Sequence, residues 1–293
     1  VYRGQNNLSM AKQAYESSRL LMGEPDEIDS RYSNILLMLG HVETFSGNYK
    51  DARKLYDNSI EFLNFRQKPT YFQFPVFTYF YERDYEQAII AFSKMRSEIN
   101  TSDQDQEWKT ENITLMEENI FVSHLHNQDE QGANKSLQQI STFKRNDLNS
   151  YLTSGASREQ LLTIKNNNDI DLQELRLWKD IIFGAPNVEQ QLNRLKSLLE
   201  KNLAQDPNAM TLYHKYSGYA ALMAGDNQAA INHYSKVSNL EMDDDLYHSY
   251  FYALALRGTG DTEKSSAILK RVAENTFATR EAALVQMQAK RQL

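Results

Sequence analysis

Bulky and small residues along much of the chain follow one helical pattern, with steps of three, four and three places between four positions. Segments with this spacing begin at Leu8, Tyr49, Tyr85, Asn227 and Thr262. The small residues at their second positions are Ala11, Ala52, Ala88, Ala230 and Ser265. Because such steps stay on one face of an α-helix, each segment predicts a helix with one packing face. The small residue lets a neighbouring helix approach closely.

A second helical pattern precedes most of these segments and ends in a tight turn. The turns are Ser46-Gly47-Asn48 and Ala224-Gly225-Asp226. Glycine adopts the positive φ that ends a helix, and Asn or Asp beside it caps the next helix. The predicted unit is therefore helix, short turn, helix. Two successive small positions, Ala230 and Ser265, lie 35 residues apart.

With these features the chain resembles the tetratricopeptide repeat (TPR) family, over about two-thirds of its length. The matching residues are Leu39, Gly40, Gly47, Tyr49, Ala52 and Tyr56 in one unit, and Gly218, Gly225, Ala230 and Tyr234 in another. The region from Tyr252 to Gly260, with 281–285, is similar to the ending of many bacterial repeat proteins. The resemblance implies an all-α fold, a right-handed superhelical array of antiparallel helix pairs (a TPR-like α-solenoid) with irregular insertions.

The spacing between small positions predicts where the array is interrupted. It is 36 residues from Ala52 to Ala88, then 45 to Ala133 and 62 from there to Leu195. The polar segment 100–106 predicts a loop, and 144–168 a helical insert. We therefore expect repeats over 1–143, an insert over 144–169, repeats over 170–277 and a capping helix over 278–293. The first unit lacks its first helix, so we expect the natural protein to extend upstream of residue 1.

Composition and charge narrow the function classes. The chain has 41% hydrophobic and 24% charged residues, with 11 Gly and 5 Pro, as expected of a folded helical protein. Its net charge of -7 disfavours nucleic acid as a partner, because phosphate backbones would be repelled overall. No apolar run is long enough to predict a membrane span. Without Cys or a targeting segment, both a cytoplasmic and a periplasmic location stay open.

Motifs of catalysis and metal binding are missing from the sequence, so we expect no catalytic residue, metal or cofactor. His124 and His126 are two places apart and diverge on a helix, so both cannot reach one metal ion. The acidic residues Asp243, Asp244 and Asp245 are expected to lie at a helix N-terminus, where unpaired N–H groups favour them. Asp169 and Asp171 are likewise expected to open the helix that contains Trp178.

The most unusual segment is 71–81, in which seven of eleven residues are aromatic. Such rings populate every face of a helix, more than one neighbour can bury. Pro75 is expected to start or kink this helix. Two interpretations stay open: a helix buried on several sides by the insertions, or rings that line a groove for a partner.

The TPR resemblance also implies which residues line a concave surface, at fixed positions of the first helix of each unit. In the upstream units they include His41, Gln73, Phe77 and Phe80. In the downstream units they include Lys215, Tyr219, Tyr247, Tyr250 and Arg257. Aromatic rings beside Lys215 and Arg257 suit a peptide with apolar anchors and an acidic group.

We therefore predict a non-catalytic scaffold that binds a protein or peptide on this concave face. An alternative hypothesis is a sensory or regulatory repeat segment of a larger protein, whose effector domain lies upstream of residue 1. A third hypothesis is a free-standing enzyme, which loss of turnover on changing His124 or His126 would favour.

Overall fold

The structure is a computed structural model that describes residues 3–5, 7–203, 206–237, 240 and 245–293. Within these ranges 79% of the residues are helical and none is in a strand. The all-α prediction is confirmed. No helix in the described ranges is both long and apolar enough to cross a bilayer.

Most helices are two to seven turns long and follow one another with short connections. The described α-helices are α1 Leu8–Met22, α2 Ser30–Phe45, α3 Tyr49–Glu61, α4 Lys68–Glu82, α5 Tyr85–Thr101, α6 Gln106–His126, α7 Glu130–Thr153, α8 Arg158–Ile182, α9 Val188–Leu199, α10 Met210–Met223, α11 Asn227–Tyr234, α12 Leu246–Gly258, α13 Thr262–Glu274 and α14 Arg280–Gln292. A short 3-10 helix, Glu200–Asn202, follows α9.

The predicted turns between paired helices are present, and their glycines have the expected backbone. Gly47 and Gly225 have φ of 82° and 84°, which a Cβ would strain. Asp226 caps α11 by accepting from the Ala229 N–H at 2.9 Å. Asn48 does not cap α3, contrary to prediction: its Nδ2 donates to Glu43 Oε2 at 2.7 Å instead.

The chain forms two compact units. Unit 1 comprises Val1–Gln104 and Lys270–Leu293, and unit 2 comprises Asp105–Leu269. In unit 1, consecutive helices from α1 to α5 pack on one another. In unit 2, consecutive helices from α6 to α12 do the same. This packing of neighbours in sequence order is the arrangement of an α-solenoid. The predicted repeat limits divide the chain differently, at 143/144, 169/170 and 277/278, and they stay a prediction.

The two predicted interruptions of the repeat array coincide with a loop and with parts of two long helices. A loop lies between α5 and α6, over 102–105, as the polar segment predicted. The predicted insert 144–169 consists of the end of α7, a turn and the first half of α8. Asp169 and Asp171 do not open a helix, so that expectation was wrong: Ser157 caps α8 instead, through a capping box with Gln160.

One helix pair recurs with the same internal packing. In α2–α3, a Cβ on Gly40 would overlap the ring of Tyr56; in α10–α11, one on Gly218 would lie 2.9 Å from the ring of Tyr234. Both tyrosines are 1% exposed. The small residues of all five segments are buried, which confirms the predicted packing face: Ala11, Ala52, Ala88, Ala230 and Ser265.

The aromatic helix α4 is covered on several sides within unit 1. It packs against α3, α5 and α14. Phe77 and Phe80 are buried, whereas Phe72 and Phe74 stay partly exposed. Phe77 and Phe80 therefore lie in the core of unit 1, where α3, α5 and α14 cover α4. That the predicted insertions bury this helix stays a prediction. Pro75 lies inside α4 and does not start it.

The C-terminal helix is tied into unit 1 by side-chain bonds to backbone carbonyls. Gln286 Nε2 donates to Ala273 O at 3.0 Å and to Asn275 O at 2.6 Å. Thr276 Oγ1 donates to Arg3 O at 2.9 Å. Residues from the first and last parts of the chain therefore share one packed unit.

Candidate functional site

The predicted groove residues of the downstream units lie on α10 and α12, at the centre of unit 2. Helix α10 packs against α8, α9, α11 and α12. Asp245 caps α12 by accepting from the His248 N–H at 3.0 Å, which fixes where that helix begins. Asp243 and Asp244, predicted to act with it, lie outside the described residues.

Five rings form one cluster around α10 and α12. We call Trp178, Tyr219, Tyr247, Tyr250 and Phe251 the unit 2 aromatic cluster. The Phe251 centroid lies 4.4 Å from that of Tyr219, 4.9 Å from that of Tyr247 and 5.3 Å from that of Tyr250. Trp178 reaches Tyr247 at 5.2 Å with the rings edge to face. These spacings and tilts are those of favourable aromatic pairs.

Hydrogen bonds fix the buried part of this cluster. Trp178 Nε1–H donates to the Tyr247 hydroxyl at 3.0 Å, and that hydroxyl donates to Tyr219 at 3.4 Å. Burial raises the pKa of Tyr219, and that of Tyr247 well above its usual value. Both side chains therefore stay neutral phenols rather than phenolate bases.

Phe251 is the member of the cluster that reaches the surface. Tyr219, Tyr247 and Tyr250 are 3%, 4% and 5% exposed, whereas Phe251 is partly exposed. Its ring therefore lies on a base of buried rings held by hydrogen bonds. Arg257, six residues further along α12, is also partly exposed.

Lys215 forms an internal ion pair. Its Nζ lies 2.6 Å from Asp245 Oδ2, and both side chains are largely shielded. Burial alone would raise the pKa of Asp245, but the charges of His248 and Lys215 outweigh it and lower that pKa. The ammonium of Lys215 is therefore neutralised within the chain.

The predicted groove residues of the upstream units lie in unit 1 and are mostly core. His41, Phe77 and Phe80 are 4%, 7% and 1% exposed, and the Gln73 amide donates weakly to Thr70 O at 3.4 Å. Phe74 joins two of them: its ring lies 4.9 Å from His41 and 6.4 Å from Phe77. The partner-binding role of all nine predicted residues stays a prediction, although six of them are buried.

Two partly exposed aromatic rings lie outside the predicted groove positions. Phe74 and Phe251 each follow a predicted groove position, Gln73 and Tyr250, by one residue. A shift of one place on a helix turns a side chain by about 100°. The sequence feature that could have indicated Phe74 and Phe251 is an aromatic residue directly after a groove position. Trp178 had no such signal, because α8 lies outside the matched units.

The two histidines of α6 face different surroundings, as predicted. His124 Nδ1 lies 2.8 Å from Asp129 Oδ2, whereas the His126 ring lies 6.1 Å from the rings of Trp178 and Tyr247. They do not converge on one point.

The arrangement in unit 2 offers a partly exposed aromatic ring on a packed aromatic base, which suits stacking and apolar contact. No family model matches this chain, and no curated protein is significantly similar to it in sequence.

Proposed function

We propose that this protein is a non-catalytic scaffold of TPR-like helix pairs that binds a peptide or a protein segment through the unit 2 aromatic cluster. The observation that carries the proposal is the partly exposed ring of Phe251 on a base of buried aromatic rings.

The rigidity of that base supports binding. Affinity is reduced when side chains must be ordered on association. A ring that is already packed loses little further conformational entropy when a partner binds. Hot spots in interfaces are enriched in aromatic residues that lie near a packed centre. Phe251, held by Tyr219 and Tyr247, meets both conditions.

The internal pairing of Lys215 changes which partner fits best. An acidic group on a peptide would compete with Asp245, which already lies 2.6 Å from the lysine ammonium. The net gain from such an exchange is small, because one ion pair replaces another. An aromatic or aliphatic anchor against Phe251 is therefore the main requirement, and an acidic group is secondary.

The experiment is selection of a random peptide display library on the intact protein, followed by affinity measurement of the enriched peptides. We expect peptides with an aromatic or large aliphatic anchor. Phe251→Ala should weaken their binding by about 30-fold, the effect of losing a contact worth about 2 kcal/mol.

The matched control is Phe277→Ala, a phenylalanine of unit 1 that is 56% exposed. It should leave binding unchanged. Circular dichroism of both variants checks that the helices persist. Failure to enrich any peptide, or equal affinity for Phe251→Ala and the original protein, would refute the proposal. Loss of binding in Phe74→Ala alone would move the site to unit 1.

A further inference from the structure

Two histidines face each other across the α10–α11 pair in unit 2. His214 Nδ1 lies 3.2 Å from His233 Nδ1, and both side chains are partly exposed. At this distance one nitrogen donates and the other accepts, so the pair holds one proton between the two atoms. A second proton there would place two N–H groups against each other.

The surroundings of this pair are aromatic and basic. The Tyr213 ring lies 5.2 Å from His214 and 6.0 Å from His233. Lys196 of α9 lies over the same tyrosine, with its Nζ 5.9 Å from the ring centre. Glu200 is 3.9 Å from that ammonium, too far for a hydrogen bond. Lys236, just after α11, is exposed.

These positive charges act on the imidazoles. Burial is the largest cause that lowers the pKa of His214, followed by the fields of His233, Lys236 and Lys196. Burial and then Lys236 lower the pKa of His233. Within the described ranges, every charged group that shifts these two histidines is basic. At neutral pH the rings are therefore uncharged, in a local positive field.

That field decides which ligand fits. A divalent cation would find two imidazole nitrogens but also two ammonium groups and, in the described chain, no third ligand for a metal. A doubly charged oxyanion instead gains from both lysines and offers an oxygen between the two Nδ1–H groups. It also offsets the repulsion that opposes a second proton.

We propose that His214, His233, Lys196 and Lys236 form a binding site for an oxyanion of the phosphate type, which binds together with uptake of a proton by the imidazole pair. The site is separate from the unit 2 aromatic cluster in its residues, and it does not depend on the proposed peptide-binding function.

The probe is sulfate, because its charge is constant between pH 5 and pH 8, so any pH dependence of binding reports the protein's own groups. The histidine ring signals are followed by NMR while sodium sulfate replaces sodium chloride at constant ionic strength. We expect sulfate to raise the pKa of both histidines. Binding should strengthen as pH falls, by up to about tenfold per pH unit for one proton.

Two variants and one control connect this effect to the site. Lys236→Gln, on the surface, should weaken sulfate binding several-fold while the fold is retained, and His214→Gln should abolish its pH dependence. His124→Gln changes a partly exposed histidine elsewhere in unit 2 and should have no effect.

Histidine signals that respond equally to sulfate and chloride would overturn the proposal. So would signals that move with zinc but not with sulfate, since that result would mark a metal site. If sulfate binds, inorganic phosphate and a phosphoserine peptide are compared at pH 6. Tighter binding of the first indicates a free anion, and of the second a phosphorylated partner.

Discussion

The helix pairs α2–α3 and α10–α11 use the same packing contact but complete it differently. In both, a glycine faces a buried tyrosine ring and an alanine with no exposed surface faces the adjacent helix. In α2–α3 the Tyr56 hydroxyl lies 2.8 Å from His41 Nδ1 and 2.9 Å from Thr44 Oγ1. The Tyr234 hydroxyl in α10–α11 has no hydrogen-bond partner in the described part of the chain.

The difference comes from two positions on the first helix. Tyr219 and Leu222 stand where His41 and Thr44 stand in the upstream pair, 178 residues earlier in each case. Tyr219 turns to Tyr247 and the unit 2 aromatic cluster instead of to Tyr234. The shared glycine and tyrosine therefore set how two helices pack. The neighbouring positions decide whether the tyrosine hydroxyl of a pair is hydrogen-bonded, as in α2–α3, or whether the first helix joins the unit 2 aromatic cluster, as in α10–α11.

The largest expected effect tests what the two pairs share. Ala52→Leu and Ala230→Leu should each cost about 3 kcal/mol, near the upper end for overpacking, because both alanines have no exposed surface. Thermal unfolding by circular dichroism measures the loss. If either variant melts unchanged, the two pairs do not share this contact.

Acid should affect α2–α3 through His41. Burial, and then the charge of Arg3, lower the pKa of His41 to about 3. The pKa of this histidine in the unfolded chain is about 6.5. Between about pH 3 and pH 6.5 the unfolded state therefore binds more protons than the folded state. This contribution to stability is complete above pH 6.5 and falls as pH drops towards 3. Between pH 7 and pH 5 the loss is about 2 kcal/mol.

Hydrogen exchange of α2–α3 peptides at the two pH values measures that loss. His41→Gln keeps a polar partner for Tyr56 but should remove most of the pH dependence. An unchanged pH dependence in the variant would assign the effect to other groups. The His41→Gln variant is the control for this measurement. The α10–α11 pair cannot serve as the control, because the pKa values of His214 and His233 are lowered too.

Substitution of the two glycines by alanine should affect the stability of the two helix pairs differently. A Cβ at Gly40 overlaps the Tyr56 ring, so Gly40→Ala should cost about 2 kcal/mol. At Gly218 the nearest ring carbon of Tyr234 is 2.9 Å away, and the gain in helix propensity of about 1 kcal/mol offsets most of the strain. Equal melting temperatures for the two variants would contradict the difference in packing.

The smallest effects concern the two hydroxyls. Tyr56→Phe should cost about 1 kcal/mol, because His41 loses its partner while Thr44 keeps the bond to Gly40 O at 2.9 Å. Tyr234→Phe should be neutral or stabilising by up to about 1 kcal/mol, since it removes a buried hydroxyl without a partner. Denaturant unfolding of both variants measures the difference. A larger loss in Tyr234→Phe would reverse the comparison.

Much of the helical organisation could be predicted from local signals. The small residues at the second position of each pattern, such as Ala52 and Ala230, are fully buried as expected. Gly47 and Gly225 mark the predicted turns. The start of α8 was not predicted, although Ser157 with Gln160 forms a capping box twelve residues before Asp169. The capping box is the stronger signal for a helix start, because it pairs two backbone N–H groups with side chains, whereas Asp169 and Asp171 lie inside α8.

Only part of the candidate site could be predicted from the sequence. The TPR resemblance implied that Tyr219, Tyr247 and Tyr250 share a helical groove, but it could not reveal that they are buried. Burial depends on helices distant in sequence, such as α8 with Trp178, whose Nε1–H donates to Tyr247 across 69 residues. Phe251, one place beyond a groove position, is left partly exposed by that packing.

Spacings of three and four residues and local backbone preferences predict most of the helices, their turns and the faces on which neighbours pack. The packing of distant helices determines which rings are covered and why α14 lies against α4. It also brings Lys215 to Asp245 and His214 to His233. The physical reason is that contacts between distant segments depend on how whole helices pack, and no local pattern encodes the other side of such a contact.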